Sequence, residues 1–142
     1  MRLLDRVEER HFPDLMELYR STYWGADRTE QEVRKMLDHT DLVFALIDED
    51  DHMVGFARVL TDTVYKAFVF DVIVRPDRRG GGLVRQLLDA IFSHPQLAGV
   101  KHFELYCRPD VVELYKKWGF STELAVQVFM RKDGRKGRDG PT

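Results

Sequence analysis

Two arginines and three glycines follow one another at Arg78-Arg79-Gly80-Gly81-Gly82. Glycines let backbone N–H groups turn into one hollow without interference from a Cβ atom. Beyond them Leu83, Leu87, Leu88 and Ile91 recur at helical spacing, so the glycine run opens a helix. A helix N-terminus adds unpaired donors and a partial positive charge. The combination suits a phosphate or pyrophosphate, with Arg78, Arg79 and Arg85 supplying charge around it. A flexible loop carrying solvated arginines has the same composition. The two common nucleotide loops do not fit. A P-loop needs Lys-Ser/Thr after its last glycine, and Leu83-Val84 follow Gly82; a dinucleotide fingerprint needs a small residue where Arg85 stands.

Three other side chains could carry chemistry. Asp71 is the one carboxylate inside an apolar run, Phe68 to Val74, and burying a carboxylate is costly without a partner. It either faces a cleft, where it would hold an ammonium group and take its proton, or pairs with an arginine such as Arg58. Cys107 could form an acyl-cysteine intermediate, but only Arg108 stands near enough in sequence to lower its pKa, and a buried structural cysteine is the expected reading. Tyr115 falls on an apolar stripe with Val111 and Trp118, which by spacing is a core position. His11, His39, His52, His94 and His102 show no ligand spacing, so no metal site is expected. No Gly-x-Ser-x-Gly elbow is present.

The elements that must position these groups follow from periodicity. Leu3 to Val7 is a candidate first strand, and Phe12, Leu15, Met16 and Tyr19 mark a helix that tolerates Pro13 at its start. Tyr23-Trp24-Gly25 is a loop whose aromatics either line a substrate site or plug the core. Thr29 and Glu32 form a capping box ahead of Val33, Met36 and Leu37. Leu42 to Ile47, Met53 to Leu60 (with Gly55 at a bulge) and Phe68 to Val74 read as an antiparallel meander. A helix from about Gly82 to Phe92 then leads to a strand at His102 to Cys107, which implies a parallel neighbour for Phe68–Val74. Pro109 and Asp110 open a last helix ended by Gly119, and Val126 to Met130 alternates as a last strand. The fold class is α+β: a central mixed sheet, antiparallel meander plus parallel βαβ step, flanked by helices. Residues 1–131 read as one domain and 132–142 as a disordered tail.

Composition excludes several classes. With 142 residues, 44% of them hydrophobic and 32% charged, the chain suits one globular domain. A formal net charge of −2 and the lack of a basic stripe argue against nucleic-acid binding. No apolar run is long enough to span a bilayer. A charged first dozen residues without a signal region, and a single cysteine, point to a cytoplasmic protein.

Arg79-Gly80-Gly81-Gly82-Leu83-Val84, after a Val-Arg-Pro strand end, resembles the coenzyme A pyrophosphate loop of the GNAT superfamily of N-acetyltransferases, Gln/Arg-x-x-Gly-x-Gly/Ala. Arg79 and Gly82 match; Val84 stands where the family prefers Gly or Ala. A second stretch, Leu114-Tyr115-x-Lys117-x-Gly119-Phe120, is similar to the end of a later family motif, while Arg108 and Val111 replace its usual Asn and Ala.

The resemblance implies a GNAT-like fold and acetyl-CoA as cosubstrate. It also implies that an acetyl group passes to an amine by direct attack. Arg78, Arg79, Gly80, Gly81, Gly82, Leu83 and Val84 would hold the pyrophosphate, and Val72, Ile73 and Val74 would pair with pantetheine. A backbone N–H near Val72 would bind the thioester oxygen. Tyr115 would protonate the departing thiolate, and Asp71 remains the local candidate for handling the amine. The expected acceptor is a small-molecule or protein amine, and a homodimer is the default symmetric assembly. The competing readings are a non-catalytic acyl-CoA-binding module and a partner-binding domain whose glycines are merely a loop.

Overall fold

Five strands form one sheet in spatial order: β1 (Arg2–Leu4), β2 (Leu42–Ile47), β3 (Met53–Thr61), β4 (Lys66–Val74) and β5 (His102–Glu104). The first four pair antiparallel and β5 joins β4 in parallel. The computed structural model describes residues 1–135. They divide into two compact units, Met1–Tyr106 and a second beginning at Cys107.

In the first unit each face of the sheet is covered by helix. On one side lie α1 (Phe12–Arg20) and α2 (Glu30–Asp38), whose Phe12, Leu15, Met16, Leu18, Tyr19 and Val33 form one buried cluster with Ala45, Ile47, Met53, Phe56 and Ile73. Pro13 occupies the first turn of α1, where its missing N–H costs nothing. The Thr29–Glu32 capping box that starts α2 is complete in both directions. On the other side α3 (Leu83–Phe92) buries Leu83, Leu87, Leu88 and Ile91. It comes close at Gly55, where a Cβ would stand 3.2 Å from Leu46 and 3.5 Å from Leu87. The β2–β3 register slips beside this glycine, since Leu46 faces Gly55 but Ile47 faces Met53.

Three sequence expectations change. β1 ends at Leu4, short of the expected Val7. β5 is also short: its ladder with β4 holds only the three pairs from Lys66–His102 to Phe68–Glu104. Just beyond that ladder β4 carries a bulge against β3. Val126 to Met130 is not a strand. Alternation makes a strand only where a ladder partner exists, and none is present among the described residues. Of the expected tail, residues 136–142 lie outside the described residues; before them Asp133 accepts hydrogen bonds from the backbone and guanidinium of Arg135.

Candidate active site

The glycine run folds as its composition requires. Gly80 and Gly82 lie in the left-handed region at φ +83° and +80°, and no atom stands within 4 Å of where either Cβ would be. Conformation, not lack of room, selects glycine at both. Gly82 is also the N-cap of α3, and no side chain caps the helix there. The first intrahelical bond runs from Gln86 N–H to the Gly82 carbonyl at 3.1 Å. The amides of Leu83, Val84 and Arg85 therefore have no intrahelical acceptor. A cavity of about 390 Å³ opens against the loop, lined by Asp77, Arg79, Gly80, Gly81 and Gln86 among others.

The arginines around the loop differ in availability. Arg78 donates to Asp48 at 3.0 Å, and Asp48 also accepts from the amides of Asp50 and His52, both at 3.0 Å. The His52 amide above all, with Arg78 assisting against burial, holds the Asp48 carboxyl below the usual range. Arg78 is thus a strut between the β2–β3 turn and the loop. Arg75 pairs with Asp77 at 2.6 Å. Arg79 and Arg85 are exposed and have no ion-pair partner among the described residues, so they are the cations free to meet an anion.

Upstream of the loop, β4 is irregular. Phe56 faces Ile73 and Arg58 faces Phe70, so Ala57 opposes both Asp71 and Val72. Asp71 takes φ +56°, uncommon for any residue but glycine and best tolerated by Asn and Asp. A bulge of this kind leaves backbone groups of the extra residue unpaired. On the β5 side no strand pairs with β4 beyond Phe68 among the described residues. Val72, Ile73 and Val74 therefore lie beyond the last ladder pair on that side, and the short 3-10 turn Pro76–Arg78 leads from them to the glycine run.

Asp71 is held tightly. Its Oδ2 accepts from the Tyr19 hydroxyl at 2.8 Å, Arg28 Nη1 at 2.9 Å and Arg58 Nε at 2.7 Å. The Asp71 side chain is 6% exposed, that of Arg58 11% and that of Arg28 29%. The arginine pairing that the sequence left open is present, with a second arginine and a phenol added. Burial first, and then the Asp71 charge, push the Tyr19 phenol far above its usual range. Burial works against the Arg28 charge, but Asp71 more than offsets it. The Arg28 guanidinium also stacks over Tyr19 and Trp24, 4.8 and 5.1 Å from the ring centroids. The Tyr23–Trp24 loop is exposed, with Trp24 edge-on to Tyr19 at 6.0 Å.

The second unit carries Tyr115 on α4 (Val112–Lys116). Gly119, at φ +90°, ends the helix: its N–H donates to Lys116 O at 2.9 Å and that of Phe120 to Tyr115 O at 3.3 Å. These are the two bonds of a Schellman motif, so the expected terminating glycine is confirmed. Phe120 packs edge-on against the Tyr115 ring at 5.9 Å. Burial, with help from Cys107, pushes the Tyr115 phenol up to about 12. Cys107 is exposed, not buried as expected, because the chain leaves β5 before reaching it. Partial desolvation by its neighbours, and then the Asp110 charge, push its thiol up, opposite to what a nucleophile needs.

Sequence reasoning does not single out Arg28, marks Tyr19 as a helix position without linking it to Asp71, and assigns Arg78 to the ligand. The buried carboxylate at Asp71 was the available signal, since two cations nearby are the ordinary means of keeping such a group charged. Among the described residues no group of His, Cys, Asp and Glu could hold a metal ion, and no helix is long and apolar enough to cross a membrane.

The model of the acetyltransferase (GNAT) family matches residues 7–120. A protein of Porphyra purpurea, an uncharacterized N-acetyltransferase, is 31% identical over 120 residues, covering 82% of this chain and 68% of its own length. Serotonin N-acetyltransferase 2, chloroplastic, of Oryza sativa subsp. japonica is 32% identical over 99 residues, 68% of this chain and 50% of that protein. The chain thus spans between half and about two thirds of the length of these curated relatives. A crystal structure from Xanthomonas campestris pv. campestris, described as belonging to the GNAT family, superposes with a TM-score of 0.78 at 30% identity, covering 94% of each chain.

Proposed function

Because the chain belongs to the acetyltransferase (GNAT) family, we propose that it transfers an acetyl group from acetyl-CoA to a primary amine by direct attack. The observation that carries this reading is a β4 end with no strand partner beyond Phe68 among the described residues, linked by one short turn to a left-handed glycine loop at an uncapped helix N-terminus. The residues fit the cosubstrate. The amides from Arg79 to Val84 suit a pyrophosphate, and the edge from Val72 to Val74 suits a chain of alternating amide donors and acceptors.

Acetyl-CoA supplies an activated thioester. The chain's own groups do the rest. The unpaired backbone at the Asp71–Val72 bulge offers an N–H to the thioester oxygen, and one such aimed donor is worth roughly 3 kcal/mol. Tyr115, kept protonated to about 12, retains a proton for the departing thiolate. The support for that role is the Leu114-Tyr115-x-Lys117-x-Gly119-Phe120 match. Asp71, shared between two guanidiniums and a phenol, is better suited to holding those groups in place than to taking a proton from the amine.

Calorimetric titration with acetyl-CoA, followed by an amine screen for CoA release, tests the proposal. Serotonin belongs in that screen, given the name of the rice relative. One-site binding with amine-dependent release supports the transferase. Binding without release from any amine leaves the acyl-CoA-binding module. No binding at millimolar cosubstrate removes both.

A further inference from the structure

On the α1/α2 face of the sheet, next to the bulge, the charges do not cancel. Arg58 and Arg28 share the single carboxylate of Asp71, and both bind the same oxygen. Glu32 feels Arg28 weakly and is already engaged by Thr29. Arg58 has no second acid: it spends only Nε on Asp71, and its two terminal nitrogens make no ion pair among the described residues. Neither nitrogen is sealed from solvent without a partner, since among the described residues that condition holds only for His11 Nδ1. Arg58 therefore keeps up to four terminal N–H donors outside any ion pair, on a side chain that is 11% exposed.

An aromatic cluster begins beneath that guanidinium. Arg58 lies over the Phe70 ring at 4.7 Å, and Phe70 stacks on Phe68 at 4.5 Å. Tyr106 closes on both, 5.5 Å from Phe68 and 6.2 Å from Phe70, while remaining 56% exposed. A guanidinium fixed by a carboxylate on one side and a ring beneath it is pre-organised for a planar anion on its remaining side.

We infer that Arg58 is a specificity residue, and that the acceptor amine carries both an aromatic ring and a carboxylate. This rests on the acetyltransferase reading above and names the acceptor class for that same site. The carboxylate meets the terminal nitrogens of Arg58 and neutralises the excess charge left by the two arginines. The ring packs on the Phe68–Phe70–Tyr106 wall. The amine then stands beside the bulge at Asp71–Val72. An aromatic amino acid, or a peptide with an aromatic residue near a free carboxylate, has this chemistry. An arylalkylamine lacks half of it.

The test compares L-tryptophan with tryptamine and L-phenylalanine with 2-phenylethylamine, reading kcat/KM at saturating acetyl-CoA. Hydrogen bonds to a charged partner make the carboxylate worth at least about tenfold in kcat/KM. The amino acid of each pair is expected to win by that factor. Arg58→Gln and Arg58→Lys are each expected to reduce the ratio toward one, Lys less than Gln. Lys also keeps a cation beside Asp71, which guards against a variant that does not fold. Equal or better turnover of the decarboxylated amines by the wild-type protein would overturn the inference, as would a ratio unmoved in Arg58→Lys. Acetyl-CoA binding is measured in the same preparations. Binding with no turnover of either acceptor in a pair also counts against this acceptor class, whereas loss of binding itself is failure of the acetyltransferase reading.

Discussion

Replacing Asp71 by Asn removes one negative charge while changing almost nothing else. The side chain keeps its volume, and Asn accepts the φ of +56° as readily as Asp does. What remains is two guanidiniums, at 2.7 and 2.9 Å, facing a neutral amide. Breaking a buried ion pair from one side costs roughly 3–5 kcal/mol. Arg28 is 29% exposed, so water recovers part of its charge, and the amide oxygen still accepts one bond. The expected loss is therefore at the lower end, about 3 kcal/mol. For a chain of this size that lowers Tm by roughly 10 °C. Asp71→Ala should cost about 1–2 kcal/mol more, because alanine resists the left-handed conformation. Chemical denaturation of the three proteins reads both steps. A loss below about 1 kcal/mol in Asp71→Asn, where a buried pair predicts several, would refute the reasoning. So would an alanine variant no worse than the asparagine one, since the bulge would then impose no backbone strain.

Gly82→Val should weaken acetyl-CoA binding by calorimetry. Holding a residue with a Cβ at φ +80° costs about 1–2 kcal/mol, or roughly 5- to 30-fold in affinity if the bound loop keeps its conformation. Tyr115→Phe should lower kcat about 100-fold with acetyl-CoA affinity kept, the usual minimum for a lost general acid. In the wild type the basic limb of kcat should not reflect Tyr115 until pH approaches 12. Acid stability follows from Asp48 and Asp51, both held below the ordinary 3.8, Asp48 chiefly by the His52 amide and Asp51 chiefly by Arg10. The unfolded chain protonates first, so their contribution is complete above that pH and declines as pH falls through the folded values. Thermal melts from pH 6 to 2.5 should fall mainly below pH 4, and less steeply in Arg78→Gln. Thr29→Ala should cost about 1 kcal/mol by removing the capping box of α2, read by denaturant midpoint.

The parts of this molecule that are legible in sequence are local. β2 reads off as Leu42–Ile47 because every residue in it is apolar and the turn at Asp48–His52 is polar. The loop reads off because three glycines before a leucine periodicity allow few structures, and two of them indeed take positive φ. Asp71 stands out as a charge in an apolar run and Arg58, 13 residues away, as a candidate partner, but Tyr19 and Arg28 do not, since they are 52 and 43 residues away. Periodicity says nothing about which distant cation will fold against a carboxylate. Arg78 shows the same limit: adjacency to the glycines suggests a phosphate ligand, while its ion pair with Asp48, 30 residues earlier, is not legible in sequence. Val126–Met130 has the alternation of a strand without a ladder partner among the described residues.

Amide hydrogen exchange with and without saturating acetyl-CoA tests the central claim most directly, because it locates the cosubstrate on the backbone. The account predicts new protection at Val72 to Val74 and at Arg79 to Val84. It predicts little change in the separate cavity of about 490 Å³ lined by Asp14, Glu17, Arg20, His52 and Arg75 among others. Protection centred on that cavity, or none on the β4 edge and the glycine loop, would contradict it.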